Sequence, residues 1–151
     1  MSESLRTRLW RAGFNLFPAY RFGGGKVTYI REDWREIHAA VPHNWRTRNY
    51  VGTIFGGSIY AVVDPLYMMM LIKSLGDDYT VWDKGATVQF KKPGESRLHA
   101  RCVLPAGELE EIRTLLAPGE STDRHYEVDL VDDAGTVHAT VGKTVYVRQD
   151  A

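Results

Sequence analysis

The longest apolar stretch of the sequence, residues 54–75, limits what this chain can fold into. It is about as long as a helix that crosses a bilayer. However, strand-like sequence follows it at once, and four residues interrupt it: Ser58, Asp64, Pro65 and Lys73. We therefore predict a helix from about Thr53 to Leu75, buried in the centre of a domain. A helix that is apolar on nearly every side must be covered all round by other elements.

The flanking segments supply those elements and predict an α+β protein. Apolar residues at helical spacing predict an amphipathic helix over residues 3–17, stopped by Pro18. A curved antiparallel sheet is an economical cover for the central helix. Alternating or apolar strand patterns recur at 27–41 (two strands), 79–92, 96–104, 122–132 and 136–148, with a short helix between Gly107 and Pro118.

Length and charge narrow the class of protein. A chain of 151 residues suits one domain, with residues 1–20 as its N-terminal helix and 21–151 as its core. The 19 basic and 19 acidic residues give no net charge, which argues against a nucleic-acid partner. Cys102 is the single cysteine and the N-terminus lacks a continuous apolar stretch, so we expect a cytoplasmic protein.

Two classes of chemistry find no support in the sequence. The five histidines are dispersed and show no metal-ligand spacing. No serine-centred nucleophile elbow, phosphate-binding loop or dinucleotide fingerprint is present either. We therefore expect neither a metal nor a cofactor.

A motif at the start of the long helix carries a family resemblance. Residues 49–64 read NYVGTIFGGSIYAVVD, and the stretch ATVQFKKPG follows later. The first segment resembles the helix-opening motif of hot-dog acyl-CoA thioesterases of the phenylacetate-pathway type. The second is similar to the family's next strand, which ends in a proline. Five residues match the helix-opening motif position by position: Asn49, Gly52, Gly56, Gly57 and Asp64.

The resemblance implies a fold, a reaction and an assembly. It implies the hot-dog fold, in which an antiparallel sheet wraps a central helix, and hydrolysis of acyl thioesters at sites shared between the subunits of a homodimer. Two positions depart from the family pattern. Phe55 stands where the family has His, and Asp83 stands where relatives often carry a catalytic Ser or Thr.

The glycine pair has two interpretations. The first N–H groups of a helix lack intrahelical partners and lie at its electropositive end. A glycine there lets a ligand approach the backbone, so Gly56, to which the family assigns this role, could polarise a thioester carbonyl. Gly57 would line the same substrate-binding surface. The alternative is close packing of the helix start against a strand.

Asp64 is the strongest catalytic candidate. A carboxylate in an apolar helix must be hydrogen-bonded, protonated or beside a polar cavity. It is the general base or the nucleophile of hydrolysis, or else it satisfies backbone groups where Pro65 kinks the helix. Gly56 and Asp64 are eight residues apart, about 12 Å along an ideal helix. One carbonyl carbon cannot contact both, so this spacing also predicts a homodimer, with pairing into a tetramer left open.

Each remaining candidate residue has a functional interpretation and a purely structural one. Asn49 assists the carboxylate or caps a turn, and Asp83 is a second acid of the site or a partner for Lys84. Phe55 contacts an acyl chain or the core. Phe90, Lys91 and Lys92 contact the substrate, with the lysines near coenzyme A phosphates, or are merely exposed.

Two functions remain open at this point. The first is hydrolysis of an acyl thioester carried by coenzyme A or acyl carrier protein. The second is a hot-dog protein that binds acyl-CoA or lipid without catalysis, which the loss of the motif His at Phe55 favours. Membrane contact by the basic, aromatic N-terminal helix is the less common interpretation, because such a helix more often covers the open end of the sheet.

Overall fold

A computed structural model describes residues 2–151, which form five helices and one six-stranded sheet. The helices are α1 (Leu5–Leu16), α2 (Pro18–Phe22), α3 (Gly56–Val63), α4 (Leu66–Leu75) and α5 (Glu108–Leu115). The strands are β1 (Lys26–Ile30), β2 (Glu36–Val41), β3 (Tyr79–Phe90), β4 (Leu98–Val103), β5 (Ser121–Val131) and β6 (Val137–Gln149).

The sheet is antiparallel throughout. Its strands lie in the order β1-β2-β4-β5-β6-β3, so β1 and β3 form the two edges. The long strand β6 pairs with β5 on one side and with β3 on the other, from Tyr79 to Phe90. The remaining pairs, β1 with β2, β2 with β4 and β4 with β5, are also antiparallel. The α+β prediction is confirmed.

The two central helices supply the middle of the core. They pack against inward-facing residues of the sheet such as Ile37 in β2 and Val141 and Val145 in β6, all fully buried. Burial of each large aliphatic side chain stabilises the fold by about 1.5–3 kcal/mol. The buried side chains of α3 and α4 are mainly Ile59, Val62, Val63, Leu66, Tyr67, Met70, Leu71 and Leu75.

The long helix differs from its prediction at two points. It begins at Gly56 rather than Thr53, and the expected kink is a break: Asp64 ends α3 and Pro65 precedes α4. Proline cannot donate the backbone hydrogen bond that would continue the helix. By length and mean hydropathy (1.3) the joined stretch Gly56–Leu75 could cross a membrane, but half of it is buried within the domain. Such burial is typical of a core helix.

The N-terminal region forms two helices, where the sequence predicted one. Pro18 ends α1 but also opens α2, because proline is well suited to the first turn of a helix. The Asn15 side chain fixes α1 to β1: its amide donates to the Val27 carbonyl at 2.9 Å, and its oxygen accepts from the Val27 N–H at 2.8 Å. The other predicted elements are confirmed to within about three residues at each end.

Candidate active site

Asp64 lies at the break between α3 and α4, and 51% of its side chain is exposed. Tyr60, one turn earlier, donates a hydrogen bond from its hydroxyl to Asp64 Oδ1 at 2.7 Å. Lys143 donates to the same oxygen at 3.3 Å. The apolar run suggested a buried acid, but the break leaves half of this carboxylate in contact with solvent. Its partners are side chains and not backbone groups of the break.

Lys143 is a buried cation beneath this carboxylate. Its side chain projects from β6 and has no exposed surface. Its Nζ lies 2.9 Å from the Tyr60 hydroxyl and 3.1 Å from Oδ1 of Asp83 in β3. A buried ammonium group is costly without partners. These two oxygens, together with Asp64 Oδ1, allow Lys143 to remain charged there.

Asp83 continues the inward-facing alternation of Tyr79 and Val81 and lies directly before an irregularity in β3. The register of β3 against β6 shifts between Asp83 and Gly85, so one extra residue, Lys84, is inserted there. Bulges of this kind re-aim side chains and are common beside active sites. Asp83 pairs in register with the inward-facing Val145, on the same side of β6 as Lys143. Lys84 instead bonds Asp123 at 2.8 Å, so the alternative that made Lys84 the partner of Asp83 is wrong.

The electrostatics of the cluster follow from its burial. Burial raises the pKa of Asp83 above its usual value, although Lys143 opposes the rise. Burial would lower the pKa of Lys143, but the hydroxyl of Tyr60 and the carboxylate of Asp83 outweigh it, and the net shift is upward. Burial also raises the pKa of Tyr60, so its hydroxyl stays protonated as a donor at neutral pH. Lys143 is therefore cationic, and its charge favours the ionised form of the neighbouring Asp83 carboxylate.

Asp64 and Tyr60 lie in the wall of a large, mainly apolar cavity. This cavity, about 680 Å³, lies between the N-terminal helices and the α3–α4 pair. A site of this size and character, with a few polar groups among apolar side chains, is typical of a small-molecule pocket. Its apolar walls include Trp10, Gly13, Phe14, Phe17, Met68 and Met69.

A second cavity, about 420 Å³, lies at the start of α3. It is lined by Asn49, Gly56, Phe90, Lys91 and Lys92, so five of the predicted site residues share one surface. The N–H groups of Ser58 and Ile59 already donate to the Phe55 carbonyl, and those of the two preceding glycines have no acceptor within the helix. A backbone donor at this position suits a carbonyl or an oxyanion.

Close packing also favours glycine at both positions of the pair. A Cβ on Gly56 would lie 2.9 Å from the Phe90 ring, and one on Gly57 would lie 2.5 Å from the Phe55 ring. The side chain of Phe55 is 57% exposed, and that of Phe90 is 61% exposed. The packing interpretation therefore holds alongside an exposed helix start.

Asn49 organises the loop before α3. Its side-chain oxygen accepts from the N–H groups of Val51 and Thr53 at 3.1 and 3.0 Å, and its amide donates to the Thr53 hydroxyl at 2.8 Å. These bonds match the turn-residue alternative for Asn49. The same residue still lines the second cavity.

Most of the predicted site residues fall into two groups in one chain, whereas Phe55 and Gly57 line neither cavity. Asp64 and Asp83 meet at Lys143, whereas Gly56, Asn49 and the strand-end residues line the second cavity. Within residues 2–151, no three His, Cys, Asp or Glu side chains are grouped so that they could hold a metal ion.

Two members of the cluster, Tyr60 and Lys143, escaped the sequence analysis. Tyr60 precedes Asp64 by four residues, the spacing at which side chains meet on a helix. Lys143 takes an inward position in the alternation of Val141, Val145 and Val147. A lysine on the apolar face of a strand was the signal that could have revealed it.

The model of a family described as "Domain of unknown function (DUF4442)" matches residues 8–147. The chain belongs to this family. A search of curated proteins finds no match. The family assignment by itself names no reaction.

Solved structures share the fold. A Pseudomonas aeruginosa protein described as of unknown function and a probable thioesterase has a TM-score of 0.79 at 17% identity, covering 98% of this chain and 97% of its own. A Haemophilus influenzae thioesterase has a TM-score of 0.71 at 17% identity, and the match covers 99% of this chain and 93% of that chain. A mutant structure of the phenylacetic acid degradation protein PaaI from Thermus thermophilus has a TM-score of 0.62 at 20% identity. The match covers 85% of this chain and 97% of that chain. The DUF4442 chain therefore has the hot-dog fold that its motif predicted.

Proposed function

We propose that the protein hydrolyses acyl thioesters, with Asp64 as the general base. One observation carries the proposal: the Asp64 carboxylate, anchored by Tyr60 and Lys143, lines a large apolar cavity. Both donors bind Oδ1, so Oδ2 is the oxygen left to accept a proton from water. The thioesterase names of the structures that share this fold support the reaction class.

The proposed reaction begins with water. Asp64 takes a proton from it while the water oxygen bonds to the thioester carbonyl carbon. The carbonyl electron pair moves onto oxygen, and the Gly56 N–H of the partner subunit stabilises this oxyanion by roughly 3 kcal/mol. When the carbonyl re-forms, the carbon–sulfur bond breaks and sulfur leaves with the electron pair. The thiolate then takes the proton from Asp64, which regenerates the base. Direct attack by Asp64 on the thioester is the less favoured variant of this mechanism.

The proposed site is shared by two subunits. Gly56 and Asp64 line different cavities of one chain and are about 12 Å apart along an ideal helix. A homodimer that apposes the two cavities would bring both residues to one carbonyl. The edge strand β3 supports this assembly, because it carries an exposed Trp82 and an exposed Phe90 and has a free side for pairing. Pairing of two dimers would give a tetramer.

Coenzyme A is the favoured carrier of the acyl group. Lys91 and Lys92 are exposed beside the cavity of Gly56, where they suit the phosphates of a coenzyme A molecule. Acyl carrier protein would present a similar thioester and phosphate to the same surface. The proposal includes a cytoplasmic location, neither a metal nor a cofactor, and no nucleic-acid or membrane partner.

A non-catalytic acyl-CoA or lipid-binding protein is the second candidate. Phe55 favours it, because its ring cannot replace the hydrogen bonds of the motif His and is partly exposed at the start of α3. In that case the apolar cavity and the Asp64 cluster bind an acyl thioester without cleaving it.

Thiol release from a panel of acyl-CoAs tests both candidates. Asp64→Asn keeps the shape of the side chain but removes its charge, so kcat should fall at least ~100-fold if Asp64 is the base. Asp77→Asn, in the exposed turn after α4, is the matched control and should retain full turnover. Binding without turnover in the wild type would establish the second candidate. Undiminished turnover in Asp64→Asn would refute the mechanism.

A further inference from the structure

The 680 Å³ cavity is walled mainly by apolar side chains. Four of its residues, Trp10, Gly13, Phe14 and Phe17, recur at i, i+3, i+4 and i+7, so one face of α1 and its end forms a continuous wall. Opposite them lies α4 with Met68 and Met69.

Few polar groups line this cavity. Tyr20 is one of them, but its hydroxyl donates to the Val62 carbonyl at 2.8 Å and is buried. Tyr60 and Asp64 are the polar groups positioned to meet a ligand. An occupant must therefore be mainly apolar, with its polar, reactive group at the carboxylate.

We infer that this cavity holds the hydrocarbon part of a long-chain acyl group and that α1 sets the acyl length. The inference rests on the proposed function, since it places the thioester carbonyl at Asp64 and extends the chain between α1 and α4. The volume lies within the range of about 300–1,000 Å³ found for pockets that enclose drug-sized ligands. An acetyl group would leave most of it unfilled, so short acyl groups are poor substrates.

The wall formed by α1 is fixed. The Asn15 side chain exchanges two hydrogen bonds with the backbone of Val27 in β1. The Nζ of Lys73 in α4 lies 3.9 Å from the centre of the Trp10 ring, which also packs edge-on against Trp34 at 5.7 Å. A wall anchored at both points measures chain length rather than opening as a lid.

Gly13 is the position that keeps the wall open. Glycine is a poor helix former, yet this one lies inside α1 without a left-handed backbone. A Cβ built on Gly13 meets no heavy atom within 4 Å, so packing of the fold does not require glycine there. What its missing side chain provides is space in the cavity.

A substitution of Gly13 tests the inference directly. Gly13→Phe adds a ring at this wall of the cavity, where its Cβ would meet no heavy atom within 4 Å, and Ala12→Phe, on an exposed adjacent position of α1, is the matched control. The measurement is kcat/KM for acyl-CoAs from acetyl to palmitoyl. In the wild type, each methylene that becomes buried should raise kcat/KM by up to about fourfold until the cavity is full. Gly13→Phe should lower kcat/KM at least ~10-fold for the longest chains and leave short chains nearly unchanged.

The outcomes separate this inference from the proposed function. Hydrolysis with no chain-length preference, or with a preference that Gly13→Phe does not change, would contradict the inference. It would not contradict the proposed hydrolysis. If no acyl-CoA is hydrolysed, calorimetric titration with palmitoyl-CoA and acetyl-CoA tests the cavity alone. Tighter binding of palmitoyl-CoA that Gly13→Phe abolishes supports it, and equal binding refutes it.

Discussion

The ammonium group of Lys143 lies 3.3 Å from the carboxylate of Asp64, and the lysine side chain is fully buried while half of the aspartate is exposed. The cation thus reaches Asp64 from inside the fold and leaves the outer part of the carboxylate free for a ligand. Asp83 and Tyr60 contact the same Nζ at 3.1 and 2.9 Å. The four side chains form one unit, in which Lys143 fixes the position of the acid and supports its negative charge.

Replacement of Lys143 by methionine should cost both stability and activity. The change leaves the buried Asp83 without its cation, and loss of one partner of a buried ion pair costs about 3 kcal/mol or more. Because burial raises the pKa of Asp83 and Lys143 opposes the rise, the variant raises it further. The loss should therefore be small below pH 4 and grow as the pH rises through the folded pKa of Asp83. Urea unfolding at pH 4 and pH 8 measures it.

A second substitution provides the control for this variant. Asp83→Asn in the Lys143→Met background removes the unpaired charge and should restore part of the stability at pH 8. A loss of stability that is the same at both pH values would contradict the role given to Lys143.

Tyr60→Phe should have a milder effect than either charged substitution. It removes one hydrogen bond to Asp64 and one to Lys143, and a single bond of this kind is worth about 1–2 kcal/mol, so kcat should fall roughly 5–30-fold. The fold should persist because the ring is retained. Tyr146→Phe, on β6 and outside both cavities, is the control and should keep wild-type kcat. Equal activity of the two variants would separate Tyr60 from the reaction.

The sequence predicted most of the fold because the fold depends on periodicity. The apolar run 54–75 indicated the central helix, and alternating residues indicated the strands of the antiparallel sheet. The start of the helix was placed three residues too early, because the apolar run already begins at Ile54. Ile54 instead forms an isolated β-bridge with Arg48 and donates its N–H to the Gly94 carbonyl at 2.8 Å.

The site was predicted only in part because it depends on tertiary contacts. Asp64 stands out in a helix where other residues are apolar, so sequence reasoning could single it out. The inward position of Lys143 could be read from its alternation with Val141, Val145 and Val147, but its partner could not, because the approach of Asp83 depends on the register of β3 against β6. Such a register is fixed by the assembled sheet, which the sequence of β3 does not reveal by itself.

A second buried ion pair should control stability in acid. The Glu108 carboxylate bonds Arg124 at 2.8 and 2.7 Å and accepts from the Tyr126 hydroxyl at 2.6 Å. Burial alone would raise the pKa of Glu108, but these bonds outweigh it and the pKa falls below 4.5. Its contribution is therefore complete above pH 4.5 and is lost as the pH falls through the folded pKa. Glu108→Gln should cost about 3 kcal/mol at pH 7 and much less at pH 3, as thermal unfolding at both values would measure. A pH-independent cost would contradict the linkage.

Mixed dimers should reveal whether Asp64 and Gly56 of different subunits form one site. One chain carries Asp64→Asn. The other carries Gly56→Leu, whose Cβ would lie 2.9 Å from the exposed Phe90 ring, so the ring must move and the added side chain obstructs the approach of a ligand to the Gly56 N–H. Each homodimer should be inactive. In a two-fold symmetric dimer with shared sites, a heterodimer keeps one intact site, with Asp64 from the second chain and Gly56 from the first. Random mixing makes half of the dimers heterodimers, so co-expressed chains should recover about one quarter of the wild-type kcat.

Sites built within single chains predict no recovery, because every site would then carry one of the two substitutions. Differently tagged chains, purified by both tags in turn, isolate the heterodimer, which should show about half of the wild-type kcat per dimer.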